Sequence, residues 1–183
     1  MSNEAEQVDL AIVGGGAAGL TTAIAAATRS REQGGNAAAR AARIVILDGA
    51  ARLGAKILVS GGGRCNVTHD HVTPNDFNGP RNVVRNILRA FDEHAAVEWF
   101  AAMGVHLKRE PTGKLFPVTD SARTVLNALL RRCDESGVEV RTGCRVQSIT
   151  KHETFEIDHT QGRLSARCVV MATGGRSLPK SGS

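Results

Sequence analysis

A chain of 183 residues with 42% hydrophobic and 22% charged residues is long enough, and apolar enough, to form a folded globular domain. Neither a signal peptide nor a membrane span is indicated, because the N-terminus lacks basic and apolar regions and no apolar run approaches the roughly 20 residues of a membrane helix. The net charge of +5 comes from basic residues spread along the chain, which favours a solvated surface over nucleic-acid binding. The four cysteines are scattered, so the sequence predicts a cytoplasmic protein with reduced thiols.

The N-terminal segment has the pattern of a strand, a tight turn, a helix and a second strand. Apolar residues 8 to 13 lead into Gly14-Gly15-Gly16-Ala17-Ala18-Gly19, and the Ala- and Leu-rich residues 20 to 28 follow. Residues 43 to 48 form a second, fully buried strand. This βαβ pattern predicts an α/β, Rossmann-like domain with a central parallel sheet. The glycines suit a dinucleotide turn: Gly14 permits the bend, Gly16 the approach of a pyrophosphate, and Gly19 the packing of helix on strand.

Asp48 ends the second predicted strand. A carboxylate there accepts both hydroxyl hydrogens of an adenosine ribose and repels a 2′-phosphate, which favours FAD or NAD over NADP. Asp48 lies further beyond Gly19 than the usual roughly 20 residues, so the sequence predicts an insertion over residues 30 to 39. An ordinary aspartate at a strand end is the alternative.

Residues 55 to 79 are rich in Gly, Asn, Asp and Thr without a sustained period, and they predict a functional loop. Within it, Ser60-Gly61-Gly62-Gly63-Arg64-Cys65-Asn66 has few side chains, so its successive N–H groups are suited to an anion-binding concavity with Arg64 adding positive charge. A flexible turn is the alternative for the same glycines.

Two further interpretations of this loop are weaker. Cys65, His69, Asp70 and His71 are zinc-ligand types, but no second cysteine pair completes such a site, and no metal is predicted. A redox role of Cys65 lacks a nearby partner cysteine for an internal disulfide. A disulfide reductase is therefore disfavoured.

Three helices and four strands are predicted for the remainder. Pro80 suits the first helical position of a helix to residue 91, Asp92 caps a helix to residue 103 that Gly104 ends, and Asp120 or Ser121 caps a third helix to Ser136. Strands at 138 to 141, 144 to 151, 154 to 159 and 163 to 173 then predict a small β-meander. In the first helix an apolar face opposes a solvated basic face. The apolar face holds Val84, Ile87, Leu88 and Phe91, and the basic face holds Arg81, Arg85 and Arg89.

The last predicted strand ends in Ala172-Thr173-Gly174-Gly175. This places a hydroxyl and two glycines at the end of a strand, which is where ligands collect in a parallel sheet. A simple turn is the alternative interpretation.

These motifs together resemble the two-dinucleotide-binding-domain flavoproteins, and more narrowly the BaiN-like and aminoacetone-oxidase-like family of NAD(P)/FAD-dependent oxidoreductases. The resemblance covers nearly the whole chain. Besides the first glycine turn, its most specific parts are Lys56 followed by residues 60 to 68, residues 113 to 117, and residues 172 to 180. His69 departs from the family pattern, which commonly has Asn there.

The resemblance implies FAD as cofactor and NAD(P)H as a candidate electron donor. The first glycines would hold the pyrophosphate, Asp48 the ribose, and the backbone near Val146 the adenine, while the Gly-Arg-Cys-Asn loop would lie along the flavin. Lys56 and residues 172 to 175 complete the expected cofactor contacts. We hypothesise in addition that Arg64 stabilises anionic reduced flavin and that Cys65 contacts the flavin.

The resemblance also implies an enzyme that transfers hydride or electrons between a small organic substrate and NAD(P)H or another acceptor. A complete member is about twice this length, so residues 1–183 are expected to be the N-terminal portion of an FAD-binding domain, without the inserted substrate domain or the final segment. No catalytic acid or base is predicted, and the sequence leaves the substrate and the oligomeric state open. An NAD-dependent dehydrogenase and a non-catalytic nucleotide-binding fragment are the alternatives.

Overall fold

The computed structural model describes residues 6–33 and 41–175. The chain divides into two compact units, of which the first comprises residues 1–56 and 129–183 and the second residues 57–128. Within the described ranges, no helix is both long enough and apolar enough to cross a membrane.

A six-stranded sheet forms the centre of the first unit. Its strands are β1 (Glu6–Val13), β2 (Ile44–Leu47), β6 (Glu139–Arg141), β7 (Val146–Lys151), β8 (Phe155–His159) and β9 (Gly162–Met171). The spatial order is β6-β2-β1-β9-β8-β7, in which the first four strands are parallel and the last three form an antiparallel meander. The predicted Rossmann-like α/β architecture, a parallel sheet with a small meander, is confirmed.

Both faces of the sheet are covered at β2, which explains why this strand is continuously apolar. All four residues of β2 are buried; Val45 and Leu47 belong to a cluster with Ile157 and Leu164, whereas the alternate residues of the strand point to the other face. Helix α1 (Ala17–Gln33) packs next to β1 and β2 and buries small and aliphatic side chains: Gly19, Leu20, Ala23, Ile24 and Ala27.

The predicted insertion over residues 30 to 39 begins inside a helix. Helix α1 extends to Gln33, so the first residues of this segment are helical, and residues 34–40 lie outside the described ranges.

The third predicted helix is α5 (Ala122–Glu135), which precedes β6. Gly137 ends it with a φ of 70°, and the N–H of Val138 donates to the carbonyl of Cys133 at 3.0 Å. A left-handed glycine at this place satisfies the last carbonyls of a helix, as the sequence predicts.

The second unit contains a small antiparallel sheet that the sequence does not predict. Its strands are β3 (Thr68–His69), β4 (Leu107–Arg109) and β5 (Lys114–Pro117), in the order β3-β5-β4. The interpretation of residues 55 to 79 as loop is therefore corrected: they also include helix α2 (Ala55–Val59) and 3-10 turns at Ser60–Gly63 and Pro74–Asp76. Elements of two to five residues are too short to produce a hydrophobic period.

Helices α3 (Arg81–Ala90) and α4 (Glu93–Ala102) lie where the sequence predicts them. Pro80 occupies the N-cap of α3, one position earlier than expected. The carboxylate of Asp92 accepts a hydrogen bond of 2.8 Å from the N–H of Ala95, which caps α4, and Gly104 follows with a φ of 79°.

We expect the core of the first unit to be sensitive to the loss of one aliphatic side chain. Leu164 is completely buried opposite Ile157 on the neighbouring strand. Leu164→Ala should lower the free energy of unfolding by about 2–5 kcal/mol, because it leaves a cavity. Urea denaturation followed by circular dichroism measures this, and the exposed Glu156→Ala on β8 is the control, with a change of about 0.5 kcal/mol or less. Equal losses in the two variants would contradict the assignment of the core.

Candidate functional site

Three parallel strands end side by side in the first unit. Val13 at the end of β1 is in register with Leu47 of β2 and with Met171 of β9. The residues that follow these strand ends are Gly14, Asp48 and Ala172, so the structure brings the three predicted motifs of the sheet to one edge. The carboxyl edge of parallel strands is where α/β proteins bind their ligands.

The glycine turn after β1 is closely packed except at one residue. A Cβ atom on Gly14, whose φ is 106°, would lie 2.5 Å from the carbonyl oxygen of Ala172; one on Gly19 would lie 1.8 Å from the carbonyl oxygen of Gly14; and one on Gly15 would lie 2.5 Å from Leu53 Cδ2. A Cβ on Gly16 would meet nothing within 4 Å. Backbone atoms thus exclude side chains at Gly14 and Gly19, the flexible Leu53 side chain covers Gly15, and Gly16 borders open space.

Helix α1 starts directly after Gly16 and presents its N-terminus at this open space. The first N–H groups of a helix have no acceptor within the helix, and the helix dipole adds partial positive charge. No acidic residue lies in the first turn of α1, where Ala17 and Ala18 have small side chains. The turn therefore has the steric and electrostatic properties that a pyrophosphate requires.

The carboxylate of Asp48 is hydrogen-bonded to the glycine turn. Its Oδ2 accepts a hydrogen bond of 2.6 Å from the N–H of Gly15, and its Oδ1 accepts one of 2.7 Å from the N–H of Ala50. Each carboxylate oxygen has a second acceptor site, so two ribose hydroxyls can still donate to Asp48. The backbone of Asp48 is held as well, since its carbonyl accepts from the N–H of Cys144 at 2.8 Å.

The predicted adenine contact near Val146 lies close in sequence to Cys144, whose N–H donates to the carbonyl of Asp48. Val146 is the first residue of β7, two positions after Cys144, and packs half-buried against the core cluster. The chain that leads into β7 therefore passes beside Asp48, and the adenine contact near Val146 stays a prediction.

The Ala-Thr-Gly-Gly motif follows β9 at the same edge of the sheet, and Lys56 contacts it. The N–H of Ala172 donates to the carbonyl of Val13 at 2.8 Å, and Gly174 is left-handed with a φ of 73°. The ammonium of Lys56 donates to the carbonyl of Gly175. Residues 176–180, which belong to the same sequence motif, lie outside the described ranges.

The Ser60 to Asn66 loop of the second unit has a defined backbone. Gly61, Gly62, Gly63 and Cys65 have φ values of 56°, 69°, 86° and 64°, and the N–H of Cys65 donates to the carbonyl of Ser60 at 2.9 Å. A Cβ atom on Gly61 would lie 2.6 Å from Phe116 Cε1. Glycine is therefore required at Gly61 both by its backbone conformation and by the ring that packs on it.

The side chain of Arg64 contacts other residues of the second unit. Its guanidinium lies 4.1 Å from the centre of the Phe116 ring, forms an ion pair with Glu110, and is 3.8 Å from a carboxylate oxygen of Asp120. Two carboxylates thus share its positive charge. The hypothesis that Arg64 stabilises reduced flavin requires uncompensated charge, whereas these contacts support a role in holding the loop. Phe116 belongs to the Gly-Lys-Leu-Phe-Pro motif, which is the only sequence signal for this partner.

Cys65 has the properties of a structural thiol. It is buried, and burial raises the pKa of its thiol, so the reactive thiolate is disfavoured. In the described part of the chain, no three His, Cys, Asp or Glu side chains lie close enough together to hold a metal ion. Asp70 pairs instead with Arg109, and His71 lies 3.6 Å from Glu93.

Comparison with known proteins agrees with the motifs. The model of the HI0933-like protein Rossmann domain family matches residues 8–183. The chain belongs to this family. It is the family of BaiN-like FAD-dependent oxidoreductases, which the sequence motifs predict.

Two curated relatives cover nearly all of this chain. The ribosomal RNA dihydrouridine synthase of Escherichia coli K12 is 30% identical over 97% of this chain and 42% of its own length. The 3-dehydro-bile acid delta(4,6)-reductase of Clostridium scindens is 33% identical over 95% of this chain and 41% of its own length. The chain therefore spans about two fifths of the length of these relatives.

Solved structures share the fold. The 3-ketosteroid-delta4-(5alpha)-dehydrogenase of Rhodococcus jostii RHA1 aligns with a TM-score of 0.64 and 16% identity, over 96% of this chain and 47% of that one. At this identity the likeness supports the architecture.

The packing of the glycine turn predicts that a substitution at Gly16 affects FAD binding, whereas one at Gly19 affects stability. Gly16→Ala should leave the melting temperature nearly unchanged, because its methyl group enters open space, but should weaken FAD binding about tenfold or more by displacing the pyrophosphate from the helix N–H groups. Gly19→Ala should lower the free energy of unfolding by about 1–3 kcal/mol or more, because its Cβ would overlap the Gly14 carbonyl. Thermal melts and FAD titrations measure both effects. Equal loss of stability in the two variants would contradict this geometry.

A double-mutant cycle tests the contact of Arg64 with Phe116. Arg64→Leu and Phe116→Leu should show a coupling of about 0.5–1 kcal/mol in urea denaturation, since the guanidinium stacks on the ring at a partly exposed site. The exposed Arg123→Leu, combined with Phe116→Leu, is the control and should show no coupling. Additive effects in the Arg64 cycle would refute the positioning role.

Proposed function

We propose that this chain binds FAD through the edge formed by Gly14 to Gly19, Asp48 and residues 172 to 175, as part of a flavin-dependent reductase. The observation that carries the proposal is the hydrogen bond of 2.6 Å between the Gly15 N–H and the Asp48 carboxylate, beside the open space at Gly16. This bond supports the proposal, because it holds the proposed ribose acceptor next to the turn that we propose binds the pyrophosphate. Both halves of an ADP group thus have a partner in one contiguous structure.

The residues of the chain hold and orient the cofactor in this proposal. The N-terminus of α1 binds the pyrophosphate, and Asp48 accepts from the ribose hydroxyls and repels a 2′-phosphate. Bound FAD supplies hydride transfer, and the protein supplies binding and orientation. The placement of the Gly-Arg-Cys-Asn loop along the flavin and a flavin contact of Cys65 stay predictions of the family resemblance.

The names of the two curated relatives suggest one reaction class. Dihydrouridine is uridine with a saturated C5–C6 bond, and that bond is conjugated to a ring carbonyl in uridine. A 3-dehydro-delta(4,6) bile acid likewise has carbon–carbon double bonds conjugated to its 3-oxo group. We propose that the whole protein reduces such a conjugated double bond, adding one hydride and one proton across it, with two electrons supplied by NAD(P)H.

The substrate is then either a small enone or a uracil base. The 33% identity with the bile acid reductase supports the first, and the 30% identity with the ribosomal RNA enzyme supports the second. Because the chain spans 41–42% of these relatives, binding and turnover need separate tests.

Binding is tested by the visible spectrum and nucleotide content of the purified chain. Asp48→Asn should weaken FAD binding about 10- to 100-fold, because hydrogen bonds to a charged acceptor are lost. The exposed Asp134→Asn on α5 has the same change in charge and should bind FAD normally. Failure of the unchanged protein to bind FAD would refute the proposal, and equal affinity in both variants would exclude Asp48 as the ribose ligand. Anaerobic oxidation of NADH or NADPH with a 3-oxo-delta(4,6) steroid or with uridine-containing RNA tests turnover in the same preparation.

A further inference from the structure

We propose that Arg145 is a specificity-determining residue of the nucleotide site, whose guanidinium stacks on the adenine base of FAD. The inference rests on the proposed function and deepens it, since it assigns a side chain to the base, whereas Gly14 to Gly19 and Asp48 are proposed to bind the pyrophosphate and the ribose. Three observations carry it: the order of the strands, the packing of Arg145 on Gly49, and the lack of a carboxylate partner for Arg145 among the described residues.

The order of the strands sets the direction in which a nucleotide would extend. Strands β6, β2 and β1 are neighbours in that order and run parallel. The glycine turn follows β1, Asp48 follows β2, and residues 142 to 145 follow β6. A nucleotide with its pyrophosphate at the glycine turn and its ribose at Asp48 therefore extends towards residues 142 to 145, one strand spacing of about 4.8 Å further on. The base is expected at that loop.

The loop of residues 142 to 145 presents one long exposed side chain. Thr142 and Gly143 have small side chains, and Cys144 is buried with its thiol 3.1 Å from the Nδ1 of His159. Arg145 is exposed. Of these four loop residues, Arg145 is therefore the one whose side chain can cover a base.

The side chain of Arg145 lies beside the residue that follows Asp48. A Cβ atom on Gly49 would lie 3.3 Å from Arg145 Cβ and 3.5 Å from Arg145 Nε. Both the first carbon and the Nε of the arginine thus follow the backbone of Gly49, next to the proposed ribose ligand. The guanidinium is accordingly held at the edge of the sheet where the nucleotide is proposed to bind.

The backbone that carries Arg145 is held on two sides. Towards β2, the N–H of Gly143 donates to the carbonyl of Ala50 at 2.9 Å. Towards the turn between β8 and β9, the N–H of Arg145 donates to the hydroxyl of Thr160 at 3.0 Å, and its carbonyl accepts from the N–H of Thr160 at 3.0 Å. A side chain on a fixed backbone loses less entropy on binding than one on a mobile loop.

The guanidinium of Arg145 forms no ion pair with a carboxylate among the described residues. Other arginines of the first unit do form such pairs, since Arg43 and Arg141 both contact Glu6. The carboxylate oxygens of Asp48 accept hydrogen bonds from backbone N–H groups and not from Arg145. The cation is thus free for a ligand, and guanidinium groups stack on the faces of aromatic rings.

An arginine at this edge could instead bind a 2′-phosphate, as in Rossmann domains that bind NADP. The carboxylate of Asp48 opposes this alternative, because it repels a phosphate on the ribose that it is proposed to hold. Stacking on the base requires no further phosphate and is compatible with hydrogen bonds from the ribose to Asp48. The charges of the two side chains therefore favour the base as the partner of Arg145.

Calorimetric titration of the purified chain with FAD and ADP tests the inference. Arg145→Ala should weaken the binding of both ligands about 3- to 10-fold, because the stacked guanidinium is lost. The loss should persist at about 0.5 M salt, at which long-range attraction between exposed charges is screened. Arg123→Ala removes another exposed arginine and is the matched control, with affinities equal to those of the unchanged protein. Circular dichroism confirms that each variant is folded.

Three results would overturn the inference. Arg145→Ala binds FAD and ADP as the unchanged protein does; its loss of affinity disappears at high salt, which indicates attraction to the phosphates; or the unchanged protein prefers adenosine 2′,5′-bisphosphate to 5′-AMP and Arg145→Ala removes this preference, which assigns Arg145 to a 2′-phosphate. Asp48→Asn is titrated alongside. FAD binding weakened by Asp48→Asn but not by Arg145→Ala refutes only the stacking residue, whereas an unchanged protein that binds neither FAD nor ADP refutes the proposed nucleotide site itself.

Discussion

The hydrogen bond from Gly15 to the carboxylate of Asp48 is the contact on which the candidate site depends. It joins the end of β2 to the turn between β1 and α1, and so it makes two motifs that are 33 residues apart into one structure. The N–H of Gly14 adds a second link, of 2.8 Å, to the carbonyl of Leu47. Because the turn is tied at both residues, Gly16 and the start of α1 are held open without help from a ligand. A preorganised cradle loses less entropy when a ligand binds than a mobile loop does.

The sequence predicts the first unit well because its signals are local and long. The continuous apolar run of β2 indicates burial on both faces, and the spacing of the glycines after β1 is typical of a helix packed closely on a strand. What the sequence does not contain is the register that aligns Val13 with Leu47 and Met171. That alignment depends on side-chain packing across strands from opposite ends of the chain.

The sequence predicts helices α3 and α4 of the second unit but not its small sheet, for the opposite reason. Strand β3 has two residues, β4 has three, and neither shows alternation that can be distinguished from loop. The partners of Arg64 were missed as well, because a stacked ring and two carboxylates 46 or more residues away leave no local pattern around a Gly-Arg-Cys-Asn sequence. The motif indicates that Arg64 is a candidate functional residue, but it does not indicate which side chains Arg64 contacts.

The pairing of β1 with β9 has a consequence for biosynthesis. The bend at Gly14 packs against the carbonyl of Ala172, and β1 is hydrogen-bonded to β9 along most of its length. A ribosome therefore delivers the first strand long before it delivers the neighbouring strand that completes the proposed nucleotide site, and this nonlocal pairing carries a loop-closure cost. Until residue 172 has left the exit tunnel, the nascent chain has the glycine motif but lacks the strand and the Ala172 carbonyl against which the turn at Gly14 packs.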